Sequence, residues 1–200
     1  MQIGLLGGTF DPVHIGHLIG AQAAADQIGL DQVLFVPAAN PPHKSTIPIS
    51  EAEHRVAMLK LAVADNDRFG IHLDEVERGG ASYTIDTIRR FRQTLAPQDE
   101  LFFILGADNL AEFTTWKDWG SICRESRLIS LKREGFSAAD YSIPEPLQQV
   151  EILWVDMPLI GISATDIRSR IAAGASIGYW VPQAVAEYIE SHSLYGRSKS

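Results

Sequence analysis

The 200-residue chain has little cysteine and a shortage of positive charge, and it lacks any long apolar run. Its single cysteine, Cys123, cannot close an internal disulfide, nor can it build a structural zinc site with other cysteines. Lys and Arg number 17 against 25 Asp and Glu, a formal net charge of −8. Such an acidic balance argues against a protein that binds nucleic acid through counterion release, so no nucleic-acid partner is expected. No stretch approaches the roughly 18 consecutive apolar residues of a transmembrane helix, and no membrane partner is expected either. Met1-Gln2-Ile3-Gly4 carries no positive side chain and the apolar run after it stops at Gly7-Gly8. The expectation is therefore a reduced, cytoplasmic protein without a secretory leader. The common nucleotide and zinc fingerprints are missing too. There is no G-x-x-x-x-G-K-[ST], Gly4-Leu5-Leu6-Gly7-Gly8 does not fit G-x-G-x-x-G, and no H-E-x-x-H occurs.

What is present is a globular mix, 46% hydrophobic and 21% charged, at a length that buries roughly 70% of the unfolded surface. Short apolar or β-branched runs predict strands at Gln2–Leu6, Gln32–Val36, Phe69–Leu73, Glu100–Leu105, Arg127–Leu131 and Val150–Val155. Helical spacing lies between them. Ser50 with Glu53 reads as a capping box opening a helix whose apolar face runs through Val56, Leu59, Lys60 and Val63. Thr84 reads as the cap of the next, with Ile85, Ile88, Phe91 and Leu95 inward. Thr165–Ala173 and Pro182–Ser191 read as two C-terminal helices, the second opened by Pro182 in its first turn. Strand–helix alternation predicts an α/β, doubly wound (Rossmann-like), mostly parallel sheet with helices on both faces and a short helical tail. No linker splits residues 1–200, so a single domain is expected. Pro37–Ile49 and Arg133–Gln149 read as long loops.

Two segments carry chemistry. The first strand runs into Gly7-Gly8-Thr9-Phe10-Asp11-Pro12-Val13-His14-Ile15-Gly16-His17 and then a helix. Ligands of open parallel sheets bind beyond the carboxyl ends of the strands, where this turn must lie. Gly7 and Gly8 let backbone amides approach an anion, and His14 and His17 project from one side of a helix start that favours negative charge. A plainer reading has the pair do no more than cap the helix; a zinc site would need further ligands. In the second segment, Gly161 to Arg168, Ser163 or Thr165 caps a helix from which Arg168 projects a fork suited to phosphate. Alone, that is also the pattern of a cap followed by a solvated arginine.

Taken together, G-x-F-x-P-x-H-x-G-H from Gly8 to His17 and I-S-x-T-x-I-R from Ile162 to Arg168 resemble the adenylyltransferase branch of the H-x-G-H nucleotidyltransferases. Pro41-Pro42-His43-Lys44, Arg55 with Met58-Leu59, Ser82-Tyr83-Thr84, Gly106-Ala107-Asp108-Asn109, Phe113 and Trp116 narrow it to the bacterial nicotinate mononucleotide adenylyltransferases. The resemblance implies transfer of the adenylyl group of ATP to nicotinate mononucleotide, with Mg²⁺ carried on the ATP and release of pyrophosphate. It implies catalytic roles for His14, His17 and Arg168, and ATP contacts from Gly7, Gly8, Thr9, Phe10, Asp108, Ser163 and Thr165. Lys44, Tyr83, Thr84, Trp116 and Arg133 are implied at the mononucleotide. A triphosphate beside the imidazoles would favour their protonated form. The chain departs from the pattern at Lys117, where many members carry a second aromatic or bulky residue. A phosphopantetheine- or cytidylyl-type relative would share Gly8–His17 without needing Pro41–Lys44, and a nucleotide sensor would bind ATP without releasing pyrophosphate.

Overall fold

The structure, a computed structural model, describes residues 1–40, 49–133 and 135–196, with Arg133 by its backbone alone. Six strands, β1 (Gln2–Gly8), β2 (Gln32–Pro37), β3 (Phe69–Ile71), β4 (Glu100–Gly106), β5 (Arg127–Arg133) and β6 (Ile152–Met157), form one sheet in the order 3-2-1-4-5-6. Every neighbouring pair runs parallel, so the expected mostly parallel sheet is wholly so. The helices are α1 (Ile15–Ile28), α2 (Ala52–Val63), α3 (Asp74–Arg78), α4 (Thr84–Arg92), α5 (Trp119–Glu125), α6 (Ala164–Ala172) and α7 (Gln183–Ser191).

Side chains alternate across the pleat and so sort the core into two layers. Leu6, Val33, Phe35, Phe102, Ile104, Ile129 and Val155 pack with α1, α2, α6 and α7 through residues such as Ala21, Met58, Ile167 and Val185. Ile3, Leu5, Leu34, Val36, Leu101, Phe103 and Leu105 face the other way, onto Ile85, Ile88 and Phe91 of α4 and Ile122 of α5. Both faces of the sheet are thus covered, as parallel sheets require.

Several local expectations are corrected. α2 starts at Ala52 behind Glu51, and no side chain among the described residues caps it. The Ser50 carbonyl instead accepts from Arg55 Nε at 3.0 Å. The buried face of α2 is Arg55, Met58, Leu59 and Val63, one residue out of phase with the expected stripe at its start. Thr84 is the first helical residue of α4 and Tyr83 occupies the cap position; Pro182 likewise caps α7 rather than entering it. α3 and the 3₁₀ turn Ala107–Thr115 fall where no helix is expected. The edge strand β3 stops at Ile71, and β6 begins two residues later than predicted. Within the expected loop, Ala138–Asp140 and Glu145–Gln149 are short 3₁₀ turns, the second anchored by buried Leu147.

Candidate active site

Order 3-2-1-4-5-6 reverses direction at β1 and β4, and the crevice beyond their carboxyl ends is where this fold takes ligands. A cavity of about 930 Å³ opens there. Gly7, Gly8, Thr9, His14 and His17 line one part; Tyr83, Thr84 and Trp116 line another, with Asp108 also on the wall. Residues more than a hundred positions apart therefore share one volume. Phe10, Ser163, Thr165 and Arg168 do not line it. Phe10 is core, 2% exposed. Lys44 lies outside the described residues, as does the side chain of Arg133.

The turn between β1 and α1 is tightly specified. A Cβ on Gly8 would sit 2.8 Å from the Phe10 ring, and one on Gly16 would sit 3.1 Å from the imidazole of His14. His14 occupies the N-cap of α1 in extended conformation, and its ring stacks on that of His17 with centroids 3.7 Å apart. The backbone N–H of His14 donates to His17 Nδ1 at 3.2 Å. An acceptor at Nδ1 assigns the proton of the neutral ring to Nε2. Burial pushes the His14 imidazole down to about 4, so the protonated form expected beside a triphosphate is not the resting state of this ring. Its Nδ1 is buried without a hydrogen-bond partner among the described residues. One amide of the helix start is already engaged, since Ile15 N–H donates to the Trp180 carbonyl at 3.0 Å.

Arg55 ties the turn to the end of β2. It is 1% exposed and donates to the carbonyls of Thr9 at 2.9 Å, Ala38 at 2.7 Å, Ser50 at 3.0 Å and Ala39 at 3.4 Å. Ser163 caps α6 as expected, accepting from Asp166 N–H at 3.1 Å. The Arg168 fork spans 2.6 Å to the Asp11 carbonyl and 3.2 Å to Thr165 Oγ1. It is braced against the turn rather than extended into solvent.

At the other end Trp116 is half-buried, edge-on to Phe103 and tilted against Phe113. Lys117 Nζ lies 4.3 Å from the centre of the Tyr83 ring and 2.9 Å from Asp86 Oδ2. Asp86 therefore pairs outward, instead of turning into the first turn of its own helix. Sequence reasoning missed Glu75, a buried carboxylate of α3 that lines the cavity and accepts from Thr87 Oγ1 at 2.6 Å. Glu75, Asp108 and Glu112 face the cavity, and among its described lining residues Lys117 alone is a lysine or arginine. Among the described residues no group of three or more His, Cys, Asp or Glu is placed to hold a metal ion, and no helix is long and apolar enough to cross a membrane.

Residues 5–170 match the family model described as cytidylyltransferase-like. A protein of Thermus thermophilus named "Probable nicotinate-nucleotide adenylyltransferase" is 46% identical over 98% of this chain and 100% of its own. One of the same name from Moorella thermoacetica is 42% identical over 97% of this chain and 91% of its own. The fold is that of a solved Plasmodium falciparum nicotinic acid mononucleotide adenylyltransferase complexed with NaAD. That likeness has a TM-score of 0.76 at 18% identity, over 97% of both chains. On the family match and the full-length identity, this chain belongs to the cytidylyltransferase-like family and, within it, to the nicotinate-nucleotide adenylyltransferases.

Proposed function

We propose that the chain joins ATP and nicotinate mononucleotide to give nicotinate adenine dinucleotide and pyrophosphate, a step of NAD biosynthesis. One observation carries the reading beyond the family match. A single cavity joins the two-histidine turn at the switch point to the wall of Tyr83, Thr84 and Trp116, so two nucleotides can meet phosphate to phosphate across β1 and β4.

In this reading a phosphate oxygen of the mononucleotide attacks the α-phosphorus of ATP in line and pyrophosphate leaves. The nucleophile is already ionised at neutral pH, so the protein's task is positioning and charge stabilisation, without a covalent intermediate. His17 donates Nε2–H to an α-phosphate oxygen, the tautomer its bond from His14 N–H supports. His14, the amides from Gly7 to Phe10, and Asp108 toward ribose hydroxyls hold the nucleotide. Arg168, with Ser163 and Thr165 at the start of α6, meets the far phosphates at the rim. Lys44 and Arg133 are assigned to the mononucleotide, and Trp116 to its pyridine ring. Mg²⁺ carried on the triphosphate supplies neutralising charge, in keeping with its preference for phosphate oxygens and water over an all-protein cage. Among its described residues the wall carries three carboxylates and one ammonium, which leaves two anionic substrates short of such charge.

The start of α4 presents amides and a positive dipole end beside Tyr83 and Thr84, which suits a carboxylate on the pyridine better than a carboxamide. The test is pyrophosphate release from Mg-ATP with a panel of mononucleotides. Nicotinate mononucleotide is expected to exceed nicotinamide mononucleotide in kcat/KM by at least about tenfold, which needs about 1.4 kcal/mol of differential binding. Release with neither pyridine mononucleotide would refute the function; equal use of both would refute the role of α4.

A further inference from the structure

Three separate pieces of the C-terminal region grip the turn between β1 and α1. Arg168 of α6 donates to the Asp11 carbonyl at 2.6 Å. The Trp180 carbonyl accepts the Ile15 N–H at 3.0 Å. Beyond α7, Tyr195 donates its hydroxyl to Asp11 Oδ1 at 2.6 Å, across 184 positions of sequence. Asp11 is only 4% exposed, and its other carboxylate oxygen accepts the Ser50 N–H at 3.3 Å. Burial and the hydrogen bond to Asp11 raise the Tyr195 phenol well above its ordinary range, so it remains a donor at any working pH.

The backbone at both ends of this contact is left-handed. Phe10, next to Asp11, has φ 51°, and Tyr195 has φ 61°. Bulky side chains rarely adopt that region, and they keep it only where the surroundings over-determine it. At Phe10 the surroundings are the Arg55 bond to Thr9 and the bonds that converge on Asp11. Release of one of them lets the turn relax, and His14, His17 and Arg168 all stand on that turn or brace against it.

We propose that Tyr195 is a positioning residue for catalysis: its hydroxyl, acting through Asp11, holds the strained turn that sets Arg168 and the two imidazoles against the nucleotide phosphates. The proposal rests on the adenylyl-transfer reading and adds to it a residue outside the cavity. Tyr195 also packs its ring against the core shared by α1, α2, α6 and α7. A phenylalanine fills the same space, so Tyr195→Phe removes the hydroxyl and little else.

The experiment compares the parent with Tyr195→Phe in kcat, in KM for each substrate, in affinity for a non-hydrolysable ATP analogue and in thermal unfolding. A displaced turn is expected to lower kcat about tenfold and to raise KM for ATP several-fold, within the range known for sub-ångström misplacement of reacting groups. KM for the mononucleotide, bound at the other wall, is expected to stay within about twofold because that wall does not lean on Asp11. Parental kcat and KM for ATP would overturn the proposal. Equal movement of both KM values together with a large drop in melting temperature would also overturn it, because that is the signature of general loosening. Should Tyr195→Phe not fold, Asp11→Asn replaces it, since a neutral amide offers one acceptor oxygen to two donors, the Ser50 N–H and the Tyr195 hydroxyl; the same ATP-sided signature is expected, and parental constants overturn the proposal. If the parent itself releases no pyrophosphate, the functional reading fails and the hydroxyl is judged on the ATP analogue alone. Weaker binding by Tyr195→Phe then supports its role, and unchanged affinity overturns it.

Discussion

At the histidine end of the cavity Arg55, Asp11 and His14 are 1%, 4% and 7% exposed; at the Tyr83–Trp116 end Asp86 and Lys117 are 30% and 48% exposed. The first end is held by guanidinium hydrogen bonds to backbone carbonyls: Arg55 of α2 donates to Thr9, after β1, and to Ala38, after β2, and Arg168 of α6 donates to Asp11 in the turn. The second rests on a solvent-facing ion pair, an ammonium over a ring, and edge contacts between aromatics. Buried polar groups are costly to leave unpaired, so the first end has few alternative arrangements. Exposed pairs contribute little and exchange easily. Under the proposed function the chemical step falls to the stiff end, and substrate choice to the end where a side chain can change without disturbing the fold.

The largest effect expected is at the stiff end. His17→Ala should lower kcat by about 10²–10³, the range for losing one donor to transition-state charge, while ATP affinity falls much less. Steady-state kinetics with both substrates checks this, and turnover within a few-fold of the parent would sink the role of His17. Arg55→Met should come next. Deleting a guanidinium that serves four carbonyls is expected to cost about 3 kcal/mol of unfolding free energy, measured by urea titration. A cost below about 1 kcal/mol would show that water replaces those bonds and that the stiff end is softer than its burial suggests.

Acid provides a third probe of the same end. The His14 imidazole is lowered from 6.5 to about 4 by burial. Its neutral form therefore contributes stability that is complete above pH 6.5 and is lost as pH falls through the folded value near 4. Between pH 7 and pH 5 the loss should be on the order of 2 kcal/mol, and His14→Asn should lack it. Parallel pH slopes for parent and variant would place the sensitivity elsewhere. The smallest effect belongs to the soft end. Lys117→Met should leave stability near parental and reduce the preference for nicotinate over nicotinamide mononucleotide by about threefold, as expected for one partly screened charge. A preference that does not move would reduce Lys117 to a partner of Asp86.

How well each end was legible in the sequence follows the same division. The strands and the His14–His17 turn stand out because they rest on local patterns: alternating burial, a glycine pair, and two histidines at helical spacing. Arg55 misled the helix phase because a charged residue occupies a position of the buried stripe, and apolar periodicity alone skips it. Glu75 was overlooked because α3, Asp74–Arg78, is too short to show a period and reads as a run of charges. The contact of Tyr195 with Asp11 spans nearly the whole chain, and no local rule couples positions that far apart. Arg168 stands out in the sequence by its helix start, whereas its grip on the Asp11 carbonyl depends on how two distant segments meet.

The place of β1 in the sheet also sets the order in which the protein can be made. β1 is synthesised before both of its neighbours in the sheet, β2 and β4. Its second edge stays unpaired until Glu100–Gly106 emerge, roughly 5–20 s later at ordinary rates of elongation. Through that interval an apolar strand with an open edge is exposed to other nascent chains, the circumstance in which aggregation begins. Gly4, Gly7 and Gly8 occupy three of its seven positions, and glycine is a poor strand former. Gly7 and Gly8, which line the cavity of the finished protein, thus also help to keep the unfinished strand from pairing readily with a stranger.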